Sequence, residues 1–182
     1  VETEHGTIRC ETIVDAAGLN RFPLLGISQG GPVAIAYAVR HPERVSHLVL
    51  LGSYALGRRK RAKRPEEVEL VEASIDMLRL GWGRADSTYR QMFVARYLPD
   101  ATQEQWRAFD ELQRRTTSAA NAWRFFDEFA NIDVVELARQ VATPTLILCS
   151  RREPDNIFES SRALAGLIPG SRLVPLDSAN HL

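Results

Sequence analysis

Residues 22–30 read FPLLGISQG and join a short apolar run to a segment that can form a helix. An apolar run of this length predicts a parallel strand covered on both faces. The residues from Gly30 to His41 are apolar nearly all round, which predicts a buried helix that Pro42 ends. A second apolar run at 46–52 completes a strand, helix, strand unit. The sequence therefore predicts an α/β fold with a mainly parallel sheet.

The turn inside this stretch has the pattern G-x-S-x-G at residues 26–30. Between a strand and a helix, this pattern predicts a strained turn that pushes the hydroxyl of Ser28 out above the sheet. Gly26 and Gly30 are expected to avoid clashes where strand and helix nearly touch. The amide of Gln29, at the start of the helix, is placed to hydrogen-bond a developing oxyanion. The alternative interpretation is a tight glycine-rich turn with an incidental serine.

The spacing of apolar residues divides the chain into three regions, 1–54, 55–141 and 142–182. Within the middle region, apolar residues recur at helical spacing, which predicts an inserted cap of three to five helices. Asp133 and Glu136 have the spacing of a capping box that opens the last of these helices.

The third region returns to the pattern of the first, with predicted strands at 145–149 and 172–176 around a helix at 158–168. Proline cannot donate a hydrogen bond to a neighbouring strand. The last strand, which contains Pro175, is therefore expected at an edge of the sheet.

Several stretches together are similar to the α/β-hydrolase family. Besides the G-x-S-x-G turn, the resemblance rests on HPERV at 41–45, PTLIL at 144–148 and the ending LDSANHL at 176–182. It implies a partial α/β-hydrolase core with an inserted helical cap, and catalytic residues in the chain order serine, acid, histidine. Ser28 would be the nucleophile, and His181, in the loop after the last strand, would be the general base.

The resemblance places the acid in the loop that follows the strand at 145–149. Two carboxylates occur there, Glu153 and Asp155. Glu153 stands at the position that is usually an aspartate in the family, and Asp155 is the competing candidate. The alternative for both is a solvated acidic loop paired with Arg151 or Arg152, which contributes little energetically.

The resemblance implies a serine hydrolase that acts on a small ester or related acyl substrate, without metal or other cofactor. A serine nucleophile disfavours the branches of the family that form alkyl-enzyme intermediates. The sequence also resembles α/β-hydrolase domains joined to bacterial nucleotide cyclases or LuxR-type regulators, so the alternative is a ligand-binding or regulatory module of a signalling protein. A truncated product without independent function is a third interpretation.

Only 27 residues precede Ser28, whereas the family builds several strands before this turn. The resemblance therefore implies an N-terminally incomplete chain that lacks its second oxyanion donor, and the His5-Gly6-Thr7 segment is not expected to replace it. The strand at 22–27 would then present an apolar edge, which an upstream segment or a second copy of the chain would cover. We expect the activity of the chain alone to be impaired.

The charge balance argues against a general affinity for polyanions. Lys+Arg 23 and Asp+Glu 23 cancel, so no global field attracts nucleic acid or an anionic membrane. The basic run at 58–64 is followed by four glutamates between 66 and 72, and is interpreted as a solvated loop. No apolar stretch reaches the roughly 18 residues of a membrane span. With two cysteines, one inside an apolar run, a reducing compartment and a cytoplasmic location are expected.

Aromatic residues are concentrated in the predicted cap. Ten of the fourteen lie between Trp82 and Phe129. They are expected either to form the core of the cap or to cover an apolar acyl group of the substrate.

Overall fold

The computed structural model describes residues 10–84, 86, 88–153 and 157–181. These residues contain a sheet of four parallel strands in the order β1-β2-β3-β4, which confirms the predicted α/β class with a mainly parallel sheet. The strands are β1 (Phe22–Ile27), β2 (Val45–Leu51), β3 (Thr145–Ser150) and β4 (Arg172–Leu176). The helices are α1 (10–16), α2 (Gly30–Arg40), α3 (Arg58–Arg61), α4 (Pro65–Gly81), α5 (Thr88–Tyr97), α6 (Gln103–Thr116), α7 (Ala119–Asn131), α8 (Val135–Ala138) and α9 (Ile157–Leu167).

One face of the sheet is covered better than the other. The parallel register places Leu24 beside Leu48 and Leu50 beside Ile147, and these side chains pack in a core cluster with residues of α2, α8 and α9. Alternate residues point to the opposite face, where Leu25 keeps 56% of its surface exposed. Within the described residues, the prediction of strands covered on both faces is therefore wrong for β1, because the helices that contact it pack on one side.

The two edges of this sheet are β1 and β4. Pro175 lies in β4 opposite Cys149 of β3, as its missing N–H predicted for an edge strand. At the other edge, β1 pairs with β2 alone among the described strands. The apolar edge expected of residues 22–27 is present there.

The short helix α8 belongs to the core rather than to the cap. Val134, Ala138 and Val141 are all buried in the same cluster as the covered face of the sheet. The sequence placed this segment in the middle region because its apolar spacing is helical, like that of the cap helices before it. Spacing alone does not reveal which of two hydrophobic clusters a helix joins.

The capping box predicted from Asp133 and Glu136 is wrong. Asp133 accepts a hydrogen bond from the amide of Val135, at 3.2 Å, but the N-cap residue of α8 is Val134 and has no side-chain cap. Glu136 instead forms an ion pair with Arg139, one turn further along. A reciprocal capping box occurs at α6, where Thr102 is the N-cap residue.

Helices α3 to α7, called the cap below, lie between β2 and α8 in the chain. Leu78, Trp82, Phe93 and Ala122 form one small buried cluster, and Val71, Ile75 and Ala130 form another. Arg90 lies beside the first cluster, only 2% exposed, and bonds Asp110 of α6 at 2.8 Å. No described helix combines the length and apolarity needed to cross a bilayer.

The basic run at 58–64 differs from the predicted solvated loop. Its first four residues form α3. Arg59 bonds Glu72 of α4 through two nitrogens, at 2.5 and 2.8 Å, and Asp127 of α7 at 2.7 Å. These ion pairs tie α3 to both neighbouring helices, so this part of the run is structural.

Candidate active site

Ser28 occupies a strained turn between β1 and α2. Its φ of 53° is the one positive value at a residue other than glycine among the described residues, in a region that L side chains rarely adopt. The amide of Ser28 donates to the carbonyl of Leu51 at 2.8 Å, and its carbonyl accepts from Gly31 at 3.0 Å. The fold therefore holds the backbone on both sides of the hydroxyl.

Gly26 and Gly30 were predicted to avoid a clash between the strand and the helix, and the structure supports this for Gly26 only. A Cβ at Gly26 would lie 2.8 Å from the Cα of Gly31, so no larger residue fits there. A Cβ at Gly30 would meet nothing within 4 Å, which corrects the steric role predicted for that residue. The close approach occurs one residue later, because a Cβ at Gly31 would overlap the hydroxyl of Ser53 on the neighbouring loop.

The parallel topology brings the three candidate catalytic loops to the same side of the sheet, at the carboxyl ends of its strands. Ser28 follows β1, Glu153 follows β3 and His181 follows β4. The last two loops are joined directly: the amide of Arg152 donates to Ser178 at 3.1 Å, and the hydroxyl of Ser150 donates to Asn180 at 2.6 Å.

Glu153 and His181 are in direct contact. Nδ1 of His181 meets Oε1 of Glu153, and both side chains are only 3% exposed. A buried carboxylate that bonds one ring nitrogen fixes the tautomer that leaves the other nitrogen free to accept a proton. The structure thus brings Glu153 to the histidine, while Asp155 lies outside the described residues.

The second ring nitrogen of His181, Nε2, belongs to a residue that lines a cavity. Nε2 is buried and has no hydrogen-bond partner among the described residues, so Ser28 does not bond it in this conformation. Ser28 and His181 nevertheless line the same cavity. Catalytic hydrogen bonds are often long in an unliganded enzyme and shorten when the substrate binds.

The cap also holds the histidine, through a residue that sequence reasoning missed. The carbonyl of Tyr97, at the end of α5, accepts the backbone N–H of His181 at 2.8 Å, and the two rings lie 5.3 Å apart. On the other side of the imidazole, Gly52 has a φ of 55°, and a Cβ there would lie 2.8 Å from the ring. Gly52 is the last residue of a predicted strand, which was an available signal, whereas nothing local marks Tyr97.

The cavity has a volume of about 340 Å³ and lies between the sheet edge and the cap. Its cap side is largely apolar and aromatic, and its other end holds Ser28, Gln29 and His181. The cap residues that line it include Val71, Ile75, Trp82, Phe109, Phe126 and Phe129. Some of the clustered aromatic residues therefore form the core of the cap and others face the cavity, as with Phe93 and Phe109 respectively.

Two further groups bear on the chemistry of the cavity. Gln29 is the N-cap residue of α2, and none of the backbone carbonyls described accepts a hydrogen bond from its amide. Tyr54 is buried in the cavity wall, and burial raises its pKa to about 12, so its hydroxyl stays protonated at neutral pH. The His5-Gly6-Thr7 segment lies outside the described residues.

A comparison with protein families decides the classification. The model for the alpha/beta hydrolase fold matches residues 8–182, nearly the whole chain. The chain belongs to the α/β-hydrolase family. Among solved structures, this family member resembles the esterase EaEST from Exiguobacterium antarcticum with a TM-score of 0.82 and 19% identity, over 96% of this chain and 65% of that one.

Curated relatives match this α/β-hydrolase either locally or at low identity. The 2-hydroxymuconate semialdehyde hydrolase of Pseudomonas putida is 51% identical over 41 residues, which are 22% of this chain and 15% of the relative. Monoacylglycerol lipase abhd6-B of Xenopus laevis is 23% identical over 180 residues, which are 95% of this chain and 53% of the relative. The chain thus spans about half the length of the second relative and less of the first. The first is described as a hydrolase and the second as a lipase.

Proposed function

We propose that this α/β-hydrolase cleaves a small ester or related acyl compound through Ser28, His181 and Glu153. The observation that carries the proposal is the buried contact between Glu153 and His181 at the edge of a cavity that also contains the strained turn of Ser28. A carboxylate, an imidazole and a serine hydroxyl at one sheet edge have the chemistry required for acyl transfer.

In the first half of the reaction, Oγ of Ser28 attacks the acyl carbon while Nε2 of His181 takes its proton. Glu153 keeps the proton on Nδ1 and stabilises the imidazolium that forms. The amide of Gln29 donates to the oxyanion of the tetrahedral intermediate. Collapse of the intermediate breaks the ester bond, and the imidazolium returns its proton to the departing alcohol.

In the second half, water replaces the alcohol. His181 takes a proton from the water as its oxygen attacks the acyl-serine, and it then returns that proton to Oγ of Ser28. The products are the acid and the free enzyme. The apolar cap side of the cavity would bind the hydrocarbon part of the acyl group.

The experiment is hydrolysis of p-nitrophenyl acetate by the wild-type chain and by Ser28→Ala. We expect the substitution to lower kcat by at least about 10³-fold, because no other group in the cavity can act as the nucleophile in the same position. Ser171→Ala is the matched control, since Ser171 lies beyond α9 and bonds only the carbonyl of Ala165 through its side chain.

Covalent labelling gives an independent readout. A fluorophosphonate should modify the wild-type chain once, at Ser28, as located by mass spectrometry after proteolysis. Hydrolysis that persists in Ser28→Ala, or a label on another serine, would show that the serine has been assigned incorrectly. A folded wild-type chain that neither hydrolyses the ester nor takes the label would contradict the proposed function.

A further inference from the structure

Three guanidinium groups line the same cavity. They belong to Arg58 and Arg61 of α3 and to Arg96 of α5, and all three side chains are half-buried. Among the described lining residues, one carboxylate is present, that of Glu153, and it contacts His181. The described part of the lining therefore carries more positive than negative formal charge, although the chain as a whole is neutral.

The basic run is divided between two roles by the helical geometry of α3. Arg59 is held by Glu72 and Asp127 outside the cavity. Arg58 and Arg61, which are three residues apart, lie on the same face of the turn and line the cavity. Arg61 also donates to the carbonyl of Leu56 at 3.4 Å, so it contributes to the fold as well as lining the cavity.

The three cavity-lining arginines lie near the proposed catalytic residues. The guanidinium carbon of Arg61 is 5.3 Å from the centre of the Tyr54 ring, and both residues line the cavity. Tyr54 is neutral at physiological pH, so it does not offset the charge of Arg61. Arg96 directly precedes Tyr97, whose ring lies against His181. Cations are thus present on both the α3 and the α5 side of the reaction site.

Guanidinium groups suit a carboxylate ligand in such a place. Each has five N–H donors, so a group that already makes a contact in the fold retains donors for a ligand. Arginine binds carboxylates through two parallel hydrogen bonds, which strengthen where water is partly excluded. Much of the remaining wall is apolar, with Val71, Ile75 and Phe129 among its residues, which suits a hydrocarbon spacer between the carboxylate and the ester group.

We propose, on the basis of the proposed hydrolase function, that the substrate is an ester that carries a carboxylate. Arg58, Arg61 and Arg96 bind this carboxylate while Ser28 attacks the acyl carbon. The cavity then selects its substrate by charge at one end and by apolar contact at the other.

The first test compares mono-4-nitrophenyl adipate with 4-nitrophenyl hexanoate, two esters of equal chain length that differ by a terminal carboxylate. We expect wild type to prefer the anionic ester in kcat/KM, and Arg58→Gln, Arg61→Gln and Arg96→Gln each to reduce that preference by about ten- to a hundredfold. Arg61→Lys should restore part of it. Arg64→Gln is the matched control, because Arg64 belongs to the same basic run but pairs with Glu67 on the exposed surface and does not line the cavity.

The second test measures binding and needs no turnover. Isothermal titration calorimetry of wild type with adipate, against 1,6-hexanediol as the neutral analogue, should show binding of the dianion that weakens in the three glutamine variants and not in Arg64→Gln. Arginine-dependent binding of adipate without hydrolysis of either ester would support the anion site and contradict the hydrolase function. Equal hydrolysis of both esters, unchanged by all three substitutions, would support the hydrolase function and overturn the anion site. Thermal unfolding of each variant shows that it is folded.

Discussion

The sheet core and the cap contribute to one cavity in different ways. The core supplies the proposed catalytic groups from loops at the ends of β1, β3 and β4, and packs around one continuous apolar cluster. The cap supplies most of the cavity wall, but its interior is divided into two small clusters with a buried arginine beside the first. We therefore expect the core to fix the geometry of the proposed catalytic groups, and the cap, with its smaller apolar clusters and its buried polar pair, to contact the substrate.

The difference implies that the two regions fail in different ways when they are mutated. In the core, steric overlap or the loss of one buried contact should disturb the geometry of the site. In the cap, the loss of a buried charge partner should lower the free energy of unfolding. Four substitutions, each compared with a second variant, test this distinction.

The largest effect is expected in the core, at the acid. Glu153→Gln should lower kcat by about 10⁴-fold, because an amide can donate to Nδ1 and hold His181 in the wrong tautomer. The side chain keeps its shape, so the free energy of unfolding should change far less than the activation barrier. Ester hydrolysis and urea denaturation of the same preparation measure the two quantities.

Asp155→Asn decides between the two carboxylates that the sequence left open. If Glu153 is the acid, its amide substitution should cost far more activity than that of Asp155. A larger loss in Asp155→Asn than in Glu153→Gln would transfer the role to Asp155 and leave the Glu153 contact as a structural one.

The second effect belongs to the cap and concerns stability. Arg90 donates to Asp110 and to the carbonyls of Trp82 and Arg84, the last two both at 2.9 Å. Arg90→Met should lower the free energy of unfolding by about 3–5 kcal/mol, because it leaves a carboxylate and two carbonyls without their buried donor. Urea denaturation followed by tryptophan fluorescence reports on this region directly.

An exposed pair in the same region is the control. Arg114 is 54% exposed and pairs with Glu111 within α6, so Arg114→Gln should cost less than about 1 kcal/mol. Equal losses of unfolding free energy in the two variants would show that burial does not determine how much an ion pair stabilises the cap. The buried pair of Arg90 and Asp110 would then not be a main source of its stability.

The third effect returns to the core and separates two adjacent glycines. Gly31→Ala should destabilise the protein by about 1–3 kcal/mol, because its methyl group would overlap the hydroxyl of Ser53 and push α2 away from the loop after β2. Gly30→Ala should be neutral or stabilising by up to about 1 kcal/mol, since the methyl group has open space and alanine favours the helix. Thermal unfolding compares the pair, and the opposite ranking would contradict the packing at this turn.

These glycines show how far the sequence could predict the site. The pattern around Ser28 located the turn, because a strand, a strained serine and a helix follow one another within about a dozen residues. It did not reveal which glycine lies against Ser53, since Ser53 approaches from another loop. The contact between Glu153 and His181 was predictable as a choice between two residues, because the family resemblance places the acid in the loop after the strand at 145–149, which holds Glu153 and Asp155.

The cap was predictable as helices, with substrate cover as one of two interpretations, but which of its residues line the cavity was not predictable. The position of Arg61 in the cavity depends on how α3 packs against its neighbours, and the carbonyl of Tyr97 meets His181 across a sequence separation of more than eighty residues. Helical spacing identifies a buried face without naming what covers it. The assignment of α8 to the cap was wrong for this reason.

The smallest expected effect on stability concerns the first residues of α6 and α8. It tests the capping box that the sequence predicted at α8 and that the structure shows at α6. At α6, the hydroxyl of Thr102 accepts from the amide of Gln105 at 3.3 Å, and the Gln105 side chain accepts from the amide of Thr102 at 2.8 Å. Thr102→Ala should therefore cost about 1 kcal/mol of unfolding free energy. Asp133→Ala should cost less, because the start of α8 is held by the backbone bond from Val134 to Ala55, at 2.9 Å, which the substitution leaves in place.

Urea denaturation of both variants measures the difference, with ester hydrolysis expected to be unchanged in each. A larger loss at Asp133 would mean that the predicted capping box contributes to stability after all, and that the connection from the cap back into the core depends on a side chain rather than on the backbone.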